Sequence, residues 1–176
     1  METNARVHVT QWRSEAGCDI LDASHTGYCR LREPVTHRRT IVFSKDPFAW
    51  LVVDGIVGSG EHLVESFVHL APGGELAANA PSLGSHIELT TARLAGMLDM
   101  DEQLNVRPEQ GMVFARNGVQ IVIVPRNWGP FAVAEGWFAP RYGQRVRCDM
   151  LRLSARLPCP TAVGYLVVSK GAGLWD

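Results

Sequence analysis

With 176 residues, 46% of them hydrophobic, and a formal net charge of −1, the chain is long enough for one domain with its own core and too apolar to be disordered. The small net charge gives no electrostatic case for nucleic acid, and no stretch approaches the roughly 20 apolar residues that cross a bilayer. The first residues, Met1–Arg6, hold no apolar run of the kind that opens a secretory leader.

Strand signals dominate along the chain. Arg6–Trp12 alternates and is rich in β-branched residues, and Cys18–Ala23 follows as a second strand. Val35–Ser44 and Trp50–Val57 read as paired strands joined through Lys45-Asp46-Pro47, where proline presets φ. Asp54-Gly55 and Gly58-Ser59-Gly60 suggest tight turns or a bulge. His62–Leu70 alternates and is ended by Ala71-Pro72-Gly73-Gly74. Leu89, Leu94, Met97 and Leu98 predict one short helix near residues 90–98, weakened by Gly96. Strands resume at Gly111–Ala115 and Val119–Val124 around an Asn117-Gly118 turn. Further strands fall at Phe131–Ala134, Arg145–Ala155 and Thr161–Ser169. The tail from Gly171 is expected to fray. Regular strands without crossover helices predict an all-β, antiparallel β-sandwich in a single domain.

Fifteen of the seventeen basic residues are Arg, leaving Lys45 and Lys170. The planar guanidinium grips carboxylate or sulfate with two parallel hydrogen bonds, as an acidic polysaccharide requires, although a codon bias gives the same excess. Cys18, Cys29, Cys148 and Cys159 form no Cys-x-x-Cys pair. The spacing argues against a zinc ribbon or a redox motif, and the choice between thiols and disulfides stays open. His62 and His69, seven apart in a strand, point to opposite faces, so no metal site is expected from them. Neither a Gly-x-Ser-x-Gly elbow nor a nucleotide-binding glycine loop is present.

Residues 25–39 concentrate chemistry: two His, one Tyr and four Arg in fifteen positions. His37 and Arg39 share one strand face and Arg38 takes the other. His25-Thr26-Gly27-Tyr28 pairs an imidazole with a phenol, either facing a sugar or closing a turn. Of the five Trp, Trp128 and Trp137 sit in loop-like sequence where an indole could stack on a sugar ring, while Trp50 lies in a hydrophobic run that reads as core.

The order of these pieces resembles the C-terminal β-sandwich of the heparinase II/III-like polysaccharide lyases. The resemblance is carried by His25-x-Gly27-Tyr28-x-Arg30-Leu31, Pro34-Val35-x-His37-x-Arg39, Leu51-Val52-Val53-Asp54 and Gly58-x-Gly60-x-His62. Later it is carried by Gly136-Trp137-Phe138-Ala139-Pro140-Arg141-Tyr142-Gly143. It implies an accessory domain of a bacterial lyase that cleaves uronic-acid glycans by β-elimination; a stand-alone carbohydrate-binding module and a small complete enzyme are the alternatives. In that family a helical toroid supplies part of the active site, and the metal site and a catalytic His lie upstream of the His-x-Gly-Tyr run. Only 24 residues precede His25, so the expected partners are that toroid or its equivalent and an acidic polysaccharide, with no cofactor of the chain's own. A homo-oligomer is left open, and the family's periplasmic or secreted location is not transferable. The acid/base candidates are His25, Tyr28 and Tyr142. The substrate-binding candidates are His37, Arg38, Arg39, Trp128, Trp137 and Arg141.

Overall fold

The computed structural model describes residues 4–78, 84–98 and 106–170. Eleven strands are described: β1 (Val7–Ser14), β2 (Cys18–His25), β3 (Val35–Lys45), β4 (Phe48–Gly58), β5 (Glu61–His69), β6 (Glu75–Ala78), β7 (Met112–Arg116), β8 (Val119–Arg126), β9 (Ala132–Arg141), β10 (Gln144–Pro158) and β11 (Thr161–Lys170). One helix, α1 (Gly84–Leu98), and a 3-10 turn at Pro108–Gln110 lie between β6 and β7.

Eight strands form one antiparallel sheet in the order β1-β2-β3-β4-β11-β8-β7-β6, and three form a second in the order β5-β10-β9. Period-2 alternation decides what each face of the large sheet meets. Cys18, Ile20, Val42, Leu51, Val53, Val122, Val124, Leu166 and Val168 point one way and pack with Ile87 and Leu94 of α1. Ile123, Phe114, Val163, Tyr165 and Val167 point the other way and meet Leu151 and Leu153 of β10. The sandwich is thus a small sheet on one face of a large one, with a helix on the opposite face.

The helix begins six residues before the sequence pattern suggests. Its buried stripe is Ile87, Thr90, Thr91 and Leu94, at i, i+3, i+4 and i+7. Two threonines in that stripe blunt the hydrophobic signal; the Thr91 hydroxyl is satisfied by donating to the Ile87 carbonyl at 2.6 Å. The side chains of Leu89, Met97 and Leu98, on which the expectation rested, lie outside the described residues, as does the tail from Gly171.

Asp54-Gly55 is not a turn. Strand β4 runs through it, with Asp54 opposite Arg39 on β3 and Val163 on β11. Trp137 likewise stands within β9 rather than in a loop. Trp50 is half-buried rather than core, its ring stacked on Phe43 at 4.7 Å. All four cysteines are free thiols.

The small sheet leaves part of the large one uncovered. On the face that carries Tyr165 and Val167, pairing register places Phe43 opposite Trp50, Leu21 opposite Ile41, and Trp12 opposite Leu21. A bulge between Val9 and Gln11 keeps Val7, Val9 and Trp12 on this same face. Val7 is 72% exposed and Trp12 66%, and Phe48 is exposed beside Phe43.

Candidate functional site

Where that face passes under the edge strand β5, it forms an open groove of about 560 Å³. Cross-strand register builds its floor. His25 of β2 pairs with His37 of β3, and Arg39 of β3 pairs with Asp54 of β4. His62, Val64 and Ser66 of β5 and the indole of Trp128 complete the walls, and Tyr28 and Arg30 stand at the mouth.

The polar groups of the floor form one continuous chain. The Gly27 N–H donates to His25 Nδ1 at 3.1 Å. His25 Nε2 lies 3.0 Å from His37 Nδ1, and His37 Nε2 lies 2.7 Å from Asp54 Oδ1. Both ends of the chain dictate its polarity. A backbone amide can only donate, so His25 Nδ1 is the acceptor and the neutral ring carries its hydrogen on Nε2. That hydrogen is given to His37 Nδ1, which leaves the second imidazole its hydrogen on Nε2 to donate to the carboxylate. Arg39 closes the chain with a fork, Nε to Asp54 Oδ1 at 2.7 Å and Nη2 to Oδ2 at 2.9 Å.

Electrostatics agree with this assignment. Burial pushes the Asp54 carboxyl up, but the hydrogen bonds from His37 and Arg39 outweigh it and hold the group below its ordinary range. The hydrogen bonds to Asp54 hold Arg39 firmly charged. Desolvation, with the neighbouring His37 and Arg39, holds His25 below the ordinary imidazole value and therefore neutral. Burial pushes the half-buried Tyr165 phenol up, Arg39 offsetting part of the effect.

All four ring nitrogens of His25 and His37 are thus occupied. Chemically the chain is a rigid spacer that aims Arg39, whose side chain stays 42% exposed. His62 differs: its Nε2 donates to the Ser59 carbonyl at 2.9 Å, and its Nδ1 has no partner among the described residues. Of the three groove imidazoles, His62 alone keeps a lone pair for a proton.

The structure brings together His25, Tyr28, His37, Arg39 and Trp128. Tyr28 packs its ring against His25 at 5.3 Å and is 45% exposed. Arg38 is not part of this group. It lies on the opposite face of the sheet, bonded through Nε to Asp22 at 2.8 Å. Tyr142, Trp137 and Arg141 lie on the β9–β10 hairpin, away from the groove floor. Sequence reasoning missed Asp54, taken for a turn residue. The sequence carried no signal for its role beyond the strand character of the preceding Leu51-Val52-Val53. No cluster of three or more metal-ligating side chains occurs among the described residues.

The family model described as "Heparinase II/III-like, C-terminal" matches residues 2–166. The chain belongs to this family. No curated protein matches the sequence. Among solved structures, it is similar to the "Heparinase III-BT4657 gene product" at a TM-score of 0.61 and 16% identity, over 93% of this chain and 21% of that one. It is similar to the heparan sulfate lyase HepC mutant from Pedobacter heparinus at a TM-score of 0.61 and 11% identity, over 95% and 22%. A further heparinase III matches at 0.58 and 13%, over 94% and 22%. At these identities the likeness shows the fold. The chain spans about a fifth of the length of the structures it matches. A heparinase II/III-like C-terminal β-sandwich is consistent with a polysaccharide lyase family, as the sequence resemblance implies.

Proposed function

We propose that this heparinase II/III-like domain is the accessory β-sandwich of a bacterial lyase that cleaves uronic-acid polysaccharides by β-elimination. It braces a catalytic partner domain of the helical-toroid kind and lines one wall of the substrate cleft. The observation that carries this reading is the uncovered apolar face, with Val7, Val9, Trp12 and Phe48 exposed beside the polar groove. Monomeric domains rarely leave such a surface to water, and a partner domain would cover it. The groove at its margin offers Arg39 to neutralise a uronate carboxylate, which is what makes the C5 proton removable.

Alone, the domain turns over little or no substrate, because the imidazoles nearest Arg39 are locked in the relay. A stand-alone carbohydrate-binding module is the second reading, favoured by Arg39 staying partly exposed in the groove floor and Tyr28 exposed at its mouth. The test follows the ultraviolet absorbance of the unsaturated uronate product with a panel of acidic polysaccharides, with binding titrated on the same samples. Binding without product supports a binding role. Product formation that is lost in His62→Ala overturns the inactive-alone reading and places the proton transfer on His62. Neither binding nor product leaves a bracing domain whose activity needs its partner.

A further inference from the structure

The β9–β10 hairpin outruns the sheet to which it belongs. Strand β5 pairs with β10 only from Met150 to Pro158, whereas β9 pairs with β10 back to Gln144. Residues 137–147 therefore project as a two-stranded arm from the end of β10 opposite the one where Leu157 meets His62. The arm holds three Arg and no acid in a chain whose formal net charge is −1. It is also aromatic: Trp137 and Phe138 are exposed along it, and Tyr142 at its tip is 106% exposed.

The arginines are organised. Trp137 stands opposite Arg147 across the ladder. The Arg145 guanidinium carbon lies 4.3 Å from the Trp137 ring centroid, and that of Arg147 lies 5.6 Å away. Stacking on an indole holds a guanidinium plane in place while leaving its N–H edges to donate outward. Arg147 is also tied to Glu135 at 3.1 Å, whereas Arg141 and Arg145 face no carboxylate among the described residues. Arg141, Tyr142, Gln144 and Arg145 line an open hollow of about 650 Å³ at the tip, room enough for a sugar residue.

We propose that this arm is a second saccharide-binding surface, which holds a sulfated or carboxylated glycan strand away from the groove. Arg141 and Arg145 grip the anionic groups, and Tyr142 lies against a sugar face. The assignment rests on the acidic-polysaccharide reading but not on the histidine groove. A nucleic acid is disfavoured because the chain as a whole carries a formal net charge of −1.

The test is fluorescence anisotropy of a labelled heparan sulfate oligosaccharide against the full chain over a salt series. Arg145→Ser is expected to weaken binding about fivefold, and Arg141→Ser with Arg145→Ser about twenty-five-fold, each step being a charge-assisted contact of about 1 kcal/mol at an exposed site. The slope of log Kd against log salt should fall by roughly one for each Arg that releases counterions. Arg145→Lys keeps the charge and loses the planar fork, and should fall between. Arg116→Ser, which removes the same charge from the exposed end of β7, should bind as the parent does. Circular dichroism checks that each variant is folded. Equal losses in Arg116→Ser and Arg145→Ser, or undiminished binding in the arm variants, would remove the arm and leave the polysaccharide reading standing. A parent chain that binds no acidic glycan overturns the arm proposal and leaves the domain its bracing role alone. A DNA duplex bound with the same arm dependence would overturn the saccharide assignment.

Discussion

Asp54 holds the relay together with almost no water around it, its side chain 6% exposed and both oxygens engaged by Arg39. Removing one partner of a buried ionic pair costs more than the pair is worth, because the other is left uncompensated. Here Arg39 is partly solvated, so the penalty sits below the full buried-pair range. Asp54→Asn is expected to lower stability by about 2 kcal/mol in urea denaturation; a change under ~0.5 kcal/mol would mean that the relay is not a structural unit. Protonation tests the same chain. His25 in the folded protein is held below the ordinary 6.5, so the unfolded chain takes up that proton first as pH falls. Its contribution to stability is full above the ordinary value, is lost as pH drops through the window down to the folded pKa, and then levels off. Asp54 acts in a separate, more acidic window. Its depressed carboxyl contributes above the ordinary 3.8 and loses that contribution as pH falls through the folded value. Denaturation midpoints measured from about pH 8 to pH 5 should therefore decline, and the decline should vanish in His25→Asn. A decline that survives the substitution would assign the titration elsewhere.

Strand pairing explains which elements were legible in the sequence and which were not. The pair β3–β4 was readable because alternation and a proline turn agree, and the shared face of His37 and Arg39 follows from period 2 alone. Asp54 was not readable, since an aspartate before glycine signals a turn unless something in the fold satisfies its carboxylate, and Arg39 lies fifteen residues away in sequence. The start of α1 was hidden because Thr90 and Thr91 occupy buried positions that periodicity assigns to apolar residues. At 164 the sequence shows only a glycine inside a strand. The structure shows why: a Cβ there would collide with the Val52 carbonyl oxygen across the β4–β11 ladder. Backbone cannot yield as a flexible side chain can, so Gly164→Ala must part the two central strands. A loss above ~3 kcal/mol is expected, read as a lowered urea midpoint or as failure to fold. A variant of near-parental stability would show that β4 and β11 have slack.

At the scale of the whole molecule the three-stranded sheet is too narrow for the eight-stranded one. The small sheet covers the half around β11, β8 and β7, and the half around β1 to β3 keeps its apolar side chains in water. The same half carries β1, an edge strand whose outer backbone groups have no ladder partner among the described strands. An apolar face next to an open edge invites association. The isolated chain should therefore bind an apolar dye in its native state and self-associate at tens of micromolar or above, as order-of-magnitude expectations for exposed patches of this kind. Replacing Trp12 and Val9 by Ser and Thr should abolish both properties. Because these side chains touch water rather than core, folding stability should change by no more than about 0.5 kcal/mol. Sedimentation velocity and a urea titration on the same pair of proteins decide the matter. If the double variant unfolds, the face belongs to the domain's own core. If the parent stays monomeric and dye-free, the accessory-domain reading loses the surface that carries it. If association disappears while stability holds, the face is one that a partner domain covers.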